Sequence, residues 1–124
     1  MKLRRPRLED KDAVTALIME FESLNAAHDG GFWNEEDFDY EDWIVGNRDA
    51  EMGLNIPDTW VPAIQLVGFD EGQAVGFLNL RLRLNEYLLE HGGHIGYSVR
   101  PSMQGRGYAT SMLKEGLLVA ASKN

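Results

Sequence analysis

The run Val-Arg-Pro-Ser-Met-Gln-Gly-Arg-Gly-Tyr-Ala at 99–109 constrains this chain more than any other stretch. It demands a strand end, a glycine turn and a helix start in immediate succession. Upstream, Ile95, Tyr97 and Val99 alternate on one face, the period of a strand over 94–99. Pro101 has no N–H to give a sheet ladder and closes that strand. Downstream, Met112, Leu113, Leu117 and Ala120 recur at helical spacing. Gly105 and Gly107 lie between. Without a Cβ, the backbone can turn its N–H groups inward and a ligand can approach closely. The helix behind adds unpaired first-turn N–H groups and the positive end of its dipole. That combination suits a phosphate or pyrophosphate. The spacing fits neither common nucleotide loop. Tyr108-Ala109 stands where a P-loop needs Lys and Ser/Thr, and Thr110 stands where a dinucleotide loop needs its third glycine.

At 124 residues the chain reads as one domain spanning 1–124, long enough to bury roughly two-thirds of its unfolded surface. Hydrophobic residues at 44% and charged residues at 26% place it among folded rather than disordered chains. A net charge of −8 argues against nucleic-acid and anionic-membrane partners and leaves a cationic or amine-bearing substrate open. With no cysteine there is neither a disulfide framework nor a thiolate site, which fits a cytoplasmic protein. The basic N-terminal residues have no apolar run behind them, so they do not read as a secretory signal. No apolar run has the length of a membrane span.

A short strand over 2–5 is expected to end at Pro6. The clearest helix covers 9–25, with Val14, Leu17, Ile18, Phe21 and Leu24 on one face and acids in its first turn. Residues 25–31 read as a loop. Asn34 is expected to cap a second helix over 34–48, with Phe38, Trp43, Ile44 and Asn47 inward. Its acidic run, Glu35, Glu36, Asp37, Asp39, Glu41 and Asp42, reads either as a solvated face or as a lip for a cationic substrate. Trp33, Phe38, Tyr40 and Trp43 read either as core or as a pocket lining. Residues 60–69 and 73–84 form a hairpin around the turn at Asp70-Glu71-Gly72. On its second strand Leu78, Leu80, Leu82 and Leu84 share one face. The other carries Asn79 and Arg81, which either face solvent or orient a substrate group. His28, His91 and His94 are scattered without metal-ligand spacing, so no metal is expected.

The turn resembles the acyl-coenzyme A signature of the GNAT N-acetyltransferases, Q/R-x-x-G-x-G/A, with Gln104, Gly107 and Ala109 at its fixed positions. The preceding Gly-Tyr-Ser-Val-Arg-Pro is similar to that family's fourth strand. The resemblance extends in element order along nearly the whole chain and is specific around 94–109. It implies an α/β (α+β) fold of the acyl-CoA N-acyltransferase type, a mixed, mainly antiparallel sheet flanked by helices. It implies acetyl-CoA as cosubstrate. The backbone of Val99 would bond the pantetheine arm. The N–H groups of Gln104, Gly105, Arg106, Gly107, Tyr108 and Ala109 would cradle the pyrophosphate, with Arg106 adding charge at the rim. The first two helices and their loop would border the acceptor, a small-molecule amine or a peptide amine.

Acetyl transfer to a primary amine needs a base, and His94 is the candidate, with an unperturbed pKa of about 6.5. The family normally continues past the signature helix through another strand, a helix and a strand pair, whereas this sequence reaches residue 124 soon after that helix. The expectation is therefore a sheet lacking those C-terminal strands, with unpaired backbone along one edge of strand 94–99. A second copy in a homo-oligomer, the coenzyme, or further C-terminal chain could cover it. The alternative function is a non-catalytic acetyl-CoA-binding or interaction module.

Overall fold

A computed structural model describes residues 1–82 and 95–122. In chain order the elements are β1 (Lys2–Arg4), a 3-10 turn (Leu8–Asp10), α1 (Lys11–Ser23), α2 (Tyr40–Glu51), β2 (Ala63–Asp70), β3 (Gln73–Arg81), β4 (Ile95–Val99), a second 3-10 turn (Pro101–Met103) and α3 (Tyr108–Ser122). The strands form one sheet in the order β1-β2-β3-β4, and all three pairings are antiparallel. This is a mixed α+β fold. Glu71 and Gly72 join β2 to β3 with φ of 50° and 81°. Two successive positive φ values give the turn whose twist matches the flanking strands.

Alternation along the strands divides the core in two. Val67, Ala74 and Phe77 face α1 and α2 and pack with Val14, Leu17, Ile18, Phe21, Tyr40, Trp43 and Ile44. Ile64, Leu66, Leu78 and Leu80 point the other way, against Met112 of α3. Because helices cover both faces, β3 is buried almost continuously, and its polar Asn79 is buried with the rest. At the β1 edge, Glu115 of α3 accepts the Leu3 N–H at 3.0 Å. β4 is the opposite edge among the described residues.

The boundaries of α1, α2 and β2 differ from expectation. α1 begins at Lys11, because the Asp10 carboxylate is drawn out of the helix by Arg4, at 2.7 and 2.9 Å, and by the Arg7 N–H at 2.7 Å. It ends at Ser23, so Leu24 leaves the apolar face and is exposed, and Asn25 turns the chain at a φ of 48°. α2 begins at Tyr40 and not near Asn34. Asp39 is its cap, accepting from Asp42 N at 3.0 Å, while Asn34 closes a local turn with Glu36 N at 3.1 Å. Both residues can cap a helix; the buried phase of Tyr40, Trp43 and Ile44 selects the later one. β2 starts at Ala63, after Pro62, which cannot donate to the ladder but whose carbonyl accepts Leu82 N at 2.8 Å. β3 ends at Arg81, so the expected extension stops short of Leu82, which lies past the strand and is exposed; residues 83–84 lie outside the described residues.

Among the described residues no helix is long and apolar enough to cross a membrane, and no three His, Cys, Asp or Glu side chains gather as a metal site.

Candidate functional site

Two features lie near β4: a turn that continues from its C-terminal end, and a cavity walled in part by its partner strand β3. At the C-terminal end, the Arg100 N–H donates to Val75 O at 2.7 Å, next to the paired Gly76 and Val99. Antiparallel ladders alternate bonded and non-bonded pairs, so the N–H and C=O of Val99 point away from β3. Its carbonyl meets only the Gln104 amide, at 3.4 Å, among the described residues. Gly105 and Gly107 follow with φ of 79° and 85°. A Cβ at either would meet nothing within 4 Å, so glycine is required here by backbone conformation rather than by crowding. Ser111 N bonds Gly107 O at 3.1 Å, which makes Gly107 the residue on which α3 opens. Among the described residues nothing accepts from the N–H groups of Arg106, Gly107, Tyr108 or Ala109. The Arg106 side chain is exposed beside them. The donors, the open side and the helix dipole suit a pyrophosphate, and the outward backbone of Val99 suits an extended amide arm.

Side chains far apart in sequence hold this turn in place. Glu20 of α1 accepts from Arg100 Nε at 2.8 Å, Ser102 N at 2.8 Å and Ser102 Oγ at 2.9 Å. Arg100 also donates to Ala74 O at 3.2 Å. Burial pushes the Glu20 carboxyl up, but the bonds from Arg100 and Ser102 outweigh it and hold the carboxyl below its ordinary value. The Tyr108 hydroxyl donates to Asp70 at 2.6 Å, tying the start of α3 to the hairpin turn. That bond lowers the Asp70 pKa and raises that of Tyr108. Tyr108 thus has an anchoring side chain beside its expected backbone role.

Toward the other end, on the α1/α2 side of the sheet, lies a cavity of about 1000 Å³. Phe32, Trp33, Trp43 and Trp60 supply its rings, and Gln65, Asn79 and Arg81 its strand-borne polar wall. Gln65 is held by Gly30 O at 2.8 Å and accepts from Asn79 Nδ2 at 3.4 Å. Asn79 lies opposite Gly96 in the sheet register. Gly30, at a φ of 78°, sits so close to β4 that a Cβ there would come within 2.2 Å of Gly96 O. The loop carrying Phe32 and Trp33 is therefore seated directly on β4. His28 stacks on Trp33 with ring centroids 3.9 Å apart, and Trp43 Nε1 donates to Phe32 O at 2.7 Å.

Asn79 and Arg81, the two expected substrate-orienting residues, both line this cavity. Of the four expected pocket aromatics, only Trp33 and Trp43 do. Tyr40 is buried with its hydroxyl bonded to Arg7 O at 2.6 Å, and Phe38 packs against the core. Of the acidic run only Glu35 reaches the cavity. Asp39 caps α2, and Glu41 pairs with Lys11 at 3.2 Å. Nothing in the sequence marked Trp60, Gln65 or Glu20 as functional. His94 lies outside the described residues, as does His91.

A family model described as an acetyltransferase (GNAT) domain matches residues 1–123. No curated protein and no solved structure matches the chain.

Proposed function

The chain belongs to the GNAT acetyltransferase family, and from that premise we propose that it transfers an acetyl group from acetyl-CoA to a primary amine. One observation carries the reading: the turn suited to pyrophosphate continues from β4, and the cavity is walled by Asn79, the sheet partner of Gly96 on β4, beneath a loop seated on that same glycine through Gly30.

The coenzyme would bring an activated thioester. In the transfer, the amine nitrogen bonds the acetyl carbon as the carbon–sulfur bond breaks; the amine gives up a proton and the departing thiolate takes one up. The turn's part is to hold the coenzyme in register. N–H groups from Gly105 to Ala109 would bind the pyrophosphate, and Arg106 adds a positive charge at its rim. Val99 would donate its outward N–H to the pantetheine arm, and its carbonyl, which takes the Gln104 amide at 3.4 Å, has a second lone pair with which to accept from it. Running along β4 from the turn, that arm brings the reacting end toward Gly96, opposite Asn79. Asn79 and Gln65 would orient the amine, and the rings around them exclude water. His94, adjacent in sequence to the first residue of β4, is the candidate base for the amine proton.

Release of free thiol from acetyl-CoA on adding an amine tests this reading, and the chain's lack of cysteine removes background from a thiol reagent. Amine-dependent thiol release is expected. Binding of acetyl-CoA without thiol release across amines would favour a non-catalytic coenzyme-binding module instead.

A further inference from the structure

The cavity has features that a small or highly charged amine would not use. Its volume of about 1000 Å³ lies at the top of the range of about 300–1,000 Å³ for sites that enclose drug-sized ligands. A short alkylamine would leave most of it to water. Phe32 and Trp60 are 42% and 50% exposed, with centroids 5.5 Å apart at 52°. Neither ring belongs to either core cluster, and both line the cavity where it meets solvent. Their backbones are fixed: the Trp60 N–H donates to Pro57 O at 2.9 Å, and Phe32 O holds the Trp43 indole. A paired, pre-set apolar surface costs a ligand little ordering entropy. Charge narrows the choice further. Among the described residues lining the cavity, Glu35 is the only carboxylate, and Arg81 shares the wall. Among the described lining residues one carboxylate can balance one ammonium, and none remains for the additional charges of a polyamine. The buried Asn79 amide lies opposite Gly96 of β4, where the amine must react, with Gln65 behind it on β2, so the rest of the molecule extends toward the two exposed rings.

We propose that the acceptor is a monoamine with a bulky aromatic or apolar body, seated against Phe32 and Trp60 with its nitrogen directed to Asn79. This rests on the acetyl-transfer reading above.

Calorimetric titration with 2-phenylethylamine, n-propylamine and spermidine, without acetyl-CoA, reads the preference for the body directly. 2-Phenylethylamine is expected to bind about tenfold more tightly than either of the others. Trp60→Ala is expected to erase most of that advantage while leaving n-propylamine unaffected. Trp60 is half exposed, so the variant should keep the parent's thermal midpoint; Phe32→Leu supplies a second, more conservative variant. Equal affinity for the three amines, or full retention of the preference in both variants, overturns the inference. Thiol release with the same amines separates it from the reading beneath it. Turnover of spermidine or n-propylamine at or above the efficiency of 2-phenylethylamine overturns the substrate class and leaves acetyl transfer standing. Selective binding of 2-phenylethylamine with no thiol release from any amine supports the cavity's preference and overturns acetyl transfer.

Discussion

The turn at 104–109 and the cavity lined by Trp60 flank β4, the one as its continuation and the other on its partner strand β3, and are made of opposite materials. The turn is backbone: two glycines at positive φ, a row of N–H groups and a helix end, all within six consecutive residues. The cavity is side chain, gathered from the loop after α1, from α2, from the approach to β2 and from β3. A site for a constant chemical group, such as a pyrophosphate, can be written locally, because the backbone geometry alone satisfies it. A site for a variable acceptor is assembled over distance, so each segment can change separately. The two are linked through β4, on which Gly30 is seated at one end and to which Glu20 is tied through Arg100 at the other.

His94→Ala is the largest expected perturbation of this division. If His94 serves as base, kcat falls by about 10²-fold or more, as general-base losses do, while KM for acetyl-CoA stays unchanged. An unchanged kcat would remove the histidine from the chemistry and leave both binding regions as described.

Glu20→Gln comes next and separates the turn from the cavity. Its carboxylate receives three hydrogen bonds from Arg100 and Ser102, and bonds to a charged group contribute about 1.5–3 kcal/mol each way. KM for acetyl-CoA should rise about tenfold with KM for the amine unmoved, and Glu20→Asp should recover part of the loss. Equal rises in both KM values would mean that Glu20 supports the fold generally rather than the turn. Asn79→Ala should do the reverse, raising KM for the amine several-fold while the affinity for acetyl-CoA, measured by calorimetry, holds.

The smallest expected effect is on stability against acid. The Arg4 bonds hold the Asp10 carboxyl below its ordinary value of 3.8 against the opposing effect of burial, and Glu20 is likewise held below 4.5. A depressed folded-state pKa contributes stability above the unfolded value and loses it as pH falls toward the folded one. Urea midpoints should therefore be flat above about pH 5 and decline below it. Asp10→Asn should lower the plateau by about 1–3 kcal/mol and flatten the decline. A decline as steep as the parent's would show that other carboxylates govern acid sensitivity.

The contrast also explains what the sequence could reveal. Strand alternation at 95–99, the stop at Pro101, the two glycines and a helix after them are all local signals that appear where they were expected, although that helix buries Met112 and Gly116 and leaves Leu117 of the expected apolar set exposed. The hairpin at Glu71-Gly72 was legible for the same reason. The start of α2 was not, because Asn34 and Asp39 have the same capping chemistry and only burial of Tyr40 and Trp43 decides between them. Leu24 fits the apolar period of α1 but lies past its last turn, where Asn25 redirects the chain. The cavity was half visible: Asn79 and Arg81 stood out as polar positions on an apolar strand. Trp60 and Gln65 reach it only through tertiary packing. Glu20 was invisible, since its partners lie about eighty residues away in the chain.

The most direct test of the division is a calorimetric titration of acetyl-CoA and of 2-phenylethylamine into the parent chain and into Gly107→Val. Valine at a φ of 85° is strained wherever it sits, and its side chain would occupy the open side of the turn. Loss of acetyl-CoA binding with amine binding intact is the expected result. A variant that folds and binds acetyl-CoA as tightly as the parent would contradict the account.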